Sequence, residues 1–134
     1  MSELTLKIGP VLLDSNCAIE VIARLPVAEA FFSRAESFIP VIVVGELIFG
    51  AYNSRRRDEN LSGLSEFLED IPVLDCDSET AEWYAKVRFQ LQKIGRPIPA
   101  NDMWIAALAL QHGLKVASKD THFDYVEGLE RIEW

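Results

Sequence analysis

Pro10-Val11-Leu12-Leu13-Asp14-Ser15-Asn16-Cys17-Ala18-Ile19 passes from an uncharged apolar run, through three residue types that cap helices, into an apolar helical pattern. Residues 11–13 read as a short strand. Asp14, Ser15 or Asn16 can each cap the helix that carries Ala18, Ile19, Ile22 and Ala23, and Pro26 divides that helix from a second one through Phe31 and Phe32. The same alternation continues. Residues 38–43 carry no charge and are rich in β-formers, as suits a strand buried on both faces of a parallel sheet. Glu46 then falls near the first turn of a helix running toward Tyr52. A further helix over residues 60–70 places Leu61, Leu64, Phe67 and Leu68 on one face, and residues 71–74 form the next strand.

Asp77 can cap a long helix in which Ala81, Tyr84, Val87, Leu91 and Ile94 recur at helical spacing, with Gly95 as its stop. After the stiff connector Arg96-Pro97-Ile98-Pro99 comes a helix from residue 101 or 102 to 112, apolar on nearly every side and therefore central. Residues 114–118 and 129–132 supply the last two strands. Strands separated by helices imply right-handed crossovers and an α/β fold: a three-layer α/β/α domain around a short, mostly parallel sheet.

The chain has 134 residues and a formal net charge of −8. That length suits one domain, and no repeat, low-complexity stretch or Ser/Gly linker divides it, so residues 1–134 read as a single unit. Cys17 and Cys76 are the two cysteines and fit no zinc spacing, which points to a cytoplasmic setting. The first seven residues are too short and polar for a signal peptide, and no apolar stretch approaches the ~20 residues that span a bilayer. The acidic balance excludes a protein that holds nucleic acid by a broad basic face, though not an enzyme that touches it briefly. Arg55-Arg56-Arg57 is the one dense basic spot. It reads either as a solvated turn between two helices or as a site for phosphate or a partner's carboxylates, near the rim of a groove and roughly 12 Å from the sheet edge.

Four acids stand where solvated surface acids are not expected. Asp14 ends the first apolar run, Glu46 is the only charge between Ile39 and Tyr52, Asp102 opens Met103-Trp104-Ile105-Ala106-Ala107-Leu108, and Asp120 closes Leu114-Lys115-Val116-Ala117-Ser118-Lys119. In open α/β sheets, ligands bind beyond the carboxyl ends of the strands, which is where Asp14, Glu46 and Asp120 fall. Asp102 joins them if its helix runs antiparallel to the sheet. Taken singly, Asp14 and Asp102 are good N-caps and Asp120 a good turn former. Taken together, neighbouring carboxylates repel one another and raise each other's pKa, which a hard divalent cation relieves; an all-oxygen cluster suits Mg²⁺ or Mn²⁺. His112 and His122, ten residues apart without a cysteine pair, do not make a zinc site, and Trp83 and Trp104 read as core. Nucleophilic catalysis by Ser15 or Ser118 has little support in the sequence.

Leu12-Leu13-Asp14-Ser15-Asn16, Val44-Gly45-Glu46-Leu47-Ile48-Phe49-Gly50-Ala51, Gly95-Arg96-Pro97-Ile98-Pro99-Ala100-Asn101-Asp102-Met103-Trp104-Ile105-Ala106-Ala107 and Ser118-Lys119-Asp120-Thr121-His122-Phe123 resemble, in order and spacing, the acidic blocks of PIN-domain ribonucleases, and among them the VapC-like toxins of type II toxin-antitoxin pairs. The likeness runs to Gly128-Leu129-Glu130-Arg131-Ile132-Glu133-Trp134, similar to the family's closing strand. The resemblance implies a Mg²⁺- or Mn²⁺-dependent endoribonuclease that cleaves RNA by a metal-activated water, with Asp14, Glu46, Asp102 and Asp120 as catalytic metal ligands. It implies site-lining roles for Asn16 and for Ser118, which stands where the family usually has Thr. It also implies a homodimer and a cognate antitoxin. Arg55, Arg56, Arg57 and Arg96 are the candidates for holding RNA phosphates or that partner.

Two other readings exist. A Mg²⁺-dependent phosphatase or phosphotransferase also uses a strand-end Asp, but calls for a second Asp where Asn16 stands. A catalytically silent PIN-like binding module has no reason to keep four mutually repelling acids.

Overall fold

Residues 7–134 are described by a computed structural model of the chain. Strand β1 (Gly9–Leu13) leads through Asp14 into α1 (Ser15–Ile22) and α2 (Pro26–Arg34); β2 (Ala35–Pro40) leads into α3 (Val41–Tyr52) and α4 (Arg57–Leu68). Then follow β3 (Val73–Leu74), the helix pair α5 (Ser78–Lys93) and α6 (Ala100–His112), β4 (Lys115–Ala117), a short 3-10 helix (Thr121–Tyr125) and β5 (Arg131–Ile132). The five strands are all parallel, in the order β3-β2-β1-β4-β5. Right-handed crossovers from β1 to β2 to β3 step one way across this sheet and set α1 to α4 on one face. The crossover from β3 back to β4 steps the other way and sets α5 and α6 on the opposite face. Strand order therefore reverses between β1 and β4, and the crevice that such a reversal opens lies at their carboxyl ends.

The sheet is short, and its middle is dry. Val11, Leu12, Leu13 and Val116 are fully buried, and Ile105, Ala106, Leu108 and Ala109 of α6 pack into the same core. Truncating Leu108 to Ala would cost about 2–5 kcal/mol. α6 begins after Pro99 and stops at Gly113, whose φ of 66° is a left-handed conformation that suits glycine. Its far end is tied to the start of α5, because Gln111 Nε2 donates to Asp77 Oδ1 at 3.0 Å while the same carboxylate caps α5 by accepting from Thr80 N. The antiparallel pair thus fixes the α6 N-terminus at the strand-end side.

Several boundaries differ from the sequence expectation. Residues 41–43 are the first turn of α3 rather than the end of a strand: Pro40 ends β2, its fixed φ serves the helix start, and packing overrides the β preference of Val41-Ile42-Val43-Val44. Glu46 consequently sits in the second turn of α3. That helix is about 18 Å long, so Arg55 lies farther from the sheet edge than the 12 Å expected. α4 starts three residues early, at Arg57, whose Nε and Nη2 donate to Tyr52 O at 3.3 and 3.1 Å. Among the described residues, no helix is long and apolar enough to cross a membrane.

Candidate active site

Asp14 sits at the turn from β1 to α1. Its backbone N–H donates to Ala117 O at 3.2 Å, carrying the β1–β4 ladder one step past the strand, and its Oδ1 accepts from Cys17 N at 2.9 Å, capping α1. The capping reading is therefore correct for Asp14 as far as it goes. It leaves a carboxylate only 6% exposed with no cation beside it among the partners seen. Burial pushes its pKa above the usual carboxylate value, hydrogen bonds from Ser118 and Cys17 N oppose this, and the like charges of Asp120 and Glu46 add to the rise. Cys17 below it is a buried thiol pushed up to about 12, chiefly by burial and then by Asp14, so it offers no thiolate.

Asp102 is the third residue of α6, and Pro99 rather than Asp102 occupies the cap position. Its carboxylate is freed from capping and lies at the positive end of the helix. Burial raises its pKa, the adjacent His122 opposes this, and Asp120 and Glu46 raise it further. Asp120 and Glu46 are exposed, so their placement among apolar neighbours in sequence did not mean burial. Glu46 Oε1 accepts from Ser15 Oγ at 2.8 Å, which ties α3 to the start of α1. Ser118 is fully buried; its hydroxyl bonds the Asp14 carboxylate and accepts from Asp120 N at 3.0 Å. Four acids from four separate segments thus act electrostatically on one another at the β1/β4 edge, with Ser118 linking two of them.

His122 is the residue that sequence reasoning missed. The short 3-10 helix turns it back two residues after Asp120, so that Nδ1 lies 2.9 Å from Asp120 Oδ1 and Nε2 lies 2.9 Å from Asp102 Oδ2. The Nε2 contact is close but misaligned, and that buried atom has no hydrogen-bond partner. Asp102, Asp120 and His122 each offer one ligand atom, all within 4.8 Å of one another. The signal in sequence was a histidine two residues past a strand-end acid; its second partner, on α6, was invisible there. Arg131 supports this loop, gripping Asp124 with two bonds of 2.8 and 3.0 Å and donating to Ser118 O at 3.1 Å.

The remaining candidates are peripheral. Asn16 is exposed in the first turn of α1. Arg56 pairs with Glu59 at 3.7 Å with both side chains mostly in solvent, and the Arg57 guanidinium lies 5.2 Å over the Tyr52 ring. Arg96, in the connector leading to α6, lies 4.8 Å over the ring of Tyr125, which ends the 3-10 helix carrying His122. Trp104 is half-buried and stacks on Tyr84 with centroids 4.0 Å apart.

The PIN domain model matches residues 11–129, nearly the whole chain and all four acidic segments. The chain belongs to the PIN-domain family. Among its relatives, the tRNA(fMet)-specific endonuclease VapC of Shigella flexneri is 33% identical over 127 residues, covering 92% of this chain and 96% of that protein. Ribonuclease VapC2 of Haemophilus influenzae is 32% identical over the same length and coverage. The DNA-bound VapBC structure from Salmonella typhimurium matches this PIN domain with a TM-score of 0.84 at 31% identity, over 96% of this chain and 98% of that one. VapBC2 of Rickettsia felis superposes with a TM-score of 0.85 at 23% identity, a likeness of fold.

Proposed function

We propose that this PIN domain is a metal-dependent endoribonuclease, the VapC-like toxin of a toxin-antitoxin pair, acting in the cytoplasm. The observation that carries the reading is the convergence of Asp14, Glu46, Asp102 and Asp120 at the β1/β4 edge, with two of their pKa values raised. Relatives about one-third identical over nearly the whole chain are named as ribonucleases and as a tRNA-specific endonuclease, which supports RNA as the substrate. Solved VapBC complexes similar to this fold support an antitoxin partner, and we take the active form to be a homodimer.

The donor set fits a divalent cation: Asp102, Asp120 and His122 offer ligand atoms within 4.8 Å of one another, and the Asp14 and Glu46 carboxylates lie near enough to act on these acids electrostatically. Asp14, Glu46, Asp102 and Asp120 would hold it, with Mg²⁺ or Mn²⁺ as the natural occupants. When bound, the cation supplies Lewis-acid polarisation of the scissile phosphate and a water activated for in-line attack. The chain's own residues do the rest. Asp14 is fixed by α1 and Ser118, so its carboxylate is preorganised; Asp102 projects from the start of a fully packed helix; Ser15 orients Glu46. Arg96 and the Arg55 to Arg57 block hold flanking phosphates or the antitoxin, away from the scissile bond, and Asn16 lines the approach.

Expression of the chain alone should arrest growth and degrade RNA, the Asp14→Asn and Glu46→Gln variants should not, and co-expression of a small protein encoded beside it should restore growth. Arrest by the acid-site variants as strong as that by the wild type would overturn this reading.

A further inference from the structure

We infer that His122 is a direct nitrogen ligand of the divalent cation, so that this site is not the all-oxygen cage its acids suggest. The inference rests on the metal-dependent reading above. Three observations carry it. Nε2 of His122 points among the acids, 2.9 Å from Asp102 Oδ2, yet is buried and makes no aligned hydrogen bond. Nδ1 lies 2.9 Å from Asp120 Oδ1, the kind of carboxylate contact that sets the ring plane of a metal-ligating histidine. The loop that carries the ring is anchored on both sides. Phe123 next to it is 1% exposed in the core, Arg131 grips Asp124 and Ser118 O, and Gln90 holds Tyr125 O at 3.0 Å and Glu127 N at 3.1 Å.

One oxygen each from Asp102 and Asp120, with a nitrogen of His122, lie mutually within 4.8 Å, a spread that a single cation can draw together. Asp120 keeps its second oxygen for the metal while its first steadies the imidazole. A nitrogen donor has a chemical consequence. Imidazole suits transition metals, whereas carboxylate and water oxygens suit Mg²⁺, Ca²⁺ and Mn²⁺, so a nitrogen donor weakens the claim of Mg²⁺ on the site relative to a transition metal. His122 should therefore shift the metal preference of this site away from Mg²⁺, an effect its acids alone would not produce.

The test reads the metal and not the reaction. The full-length chain loaded with Mn²⁺ should show, by pulsed electron paramagnetic resonance, a ¹⁴N coupling of directly coordinated strength that converts to ¹⁵N when only histidine is labelled. His122→Ala should abolish the coupling and weaken Mn²⁺ binding by about tenfold or more, measured by calorimetry, while Mg²⁺ binding changes less. His112→Gln, at the opposite end of α6, should change neither. Bound Mn²⁺ with an oxygen-only spectrum in the wild type, which needs no variant to fold, would overturn the inference and leave the metal-dependent nuclease standing. A coupling that survives His122→Ala would also overturn it. If Mn²⁺ and Mg²⁺ both fail to bind the wild type, the inference and the reading beneath it fall together.

Discussion

Asp14 both caps α1 and carries an unneutralised buried charge, and these two roles can be separated by two substitutions. Asp14→Asn keeps an oxygen that can accept from Cys17 N and removes the charge; Asp14→Ala removes both. Asn and Asp cap equally well, whereas loss of a cap to Ala costs about 1 kcal/mol, roughly 3–5 °C in Tm for a domain of this size. Metal-free Asp14→Asn should therefore melt at or above the wild type, and Asp14→Ala below Asp14→Asn by about that margin. The pH dependence has a definite sign. Because the folded carboxyl titrates above its ordinary value, the linkage favours folding at low pH and is lost as pH rises through the raised pKa, so the advantage of Asp14→Asn over wild type should grow with pH in that window. RNA cleavage should fall in both variants by more than about 100-fold, the upper end of what loss of a merely outer metal partner costs. Thermal melts with and without Mn²⁺, alongside single-turnover cleavage, read all of this. If Asp14→Asn melts as low as Asp14→Ala and still cleaves, the residue is a helix cap and the site lies elsewhere.

Glu46→Gln should leave stability within about 0.5 kcal/mol, since Glu46 is exposed and Gln can still accept from Ser15, yet cleavage should collapse; unchanged cleavage in a matched-metal assay would remove Glu46 from the site. Ser118→Ala, which strips a buried hydroxyl shared by Asp14 and the Asp120 backbone, should cost about 1–3 kcal/mol by denaturant melt and weaken metal binding. Replacing Arg55, Arg56 and Arg57 together with Ala should weaken RNA or antitoxin binding and flatten its salt dependence by about 0.7 in log–log slope for each phosphate no longer neutralised, leaving the saturated cleavage rate nearly intact. Normal binding of both ligands across a salt titration would return these arginines to the role of a solvated turn.

The alternation of strand and helix was legible because capping residues, glycine stops and apolar spacing each mark the chain locally, as at Asp77, Gly95 and Gly113. Residues 41–43 were not legible as helix: a β-branched run after Pro40 carries a strand preference that only its packing reverses. Asp14 was rightly expected to be held away from solvent, because it follows a strand fully buried at Leu12 and Leu13. The same inference misled at Glu46, which is exposed while Val43, Val44 and Leu47 pack on the core, a phase that sequence gives only once the helix start is known. His122 escaped notice since spacing rules for metal ligands look for partners near in sequence, and Asp102 lies twenty positions away on a different element. Arg131 escaped for the same reason: its grip on the Asp120 loop is made across a strand pair.

The most direct measurement is cleavage of a labelled structured RNA by the purified wild-type chain, first freed of metal by chelator and then titrated with Mn²⁺ and with Mg²⁺. Cleavage should be absent in chelator and recover on adding metal with saturation that tracks metal occupancy, and the products should lack a 2′,3′-cyclic phosphate, since the attacking oxygen comes from water and not from the RNA. Chelator-resistant cleavage that leaves cyclic phosphate ends, or full cleavage by a chain with Asp14, Glu46, Asp102 and Asp120 all neutralised to their amides, would contradict this expectation.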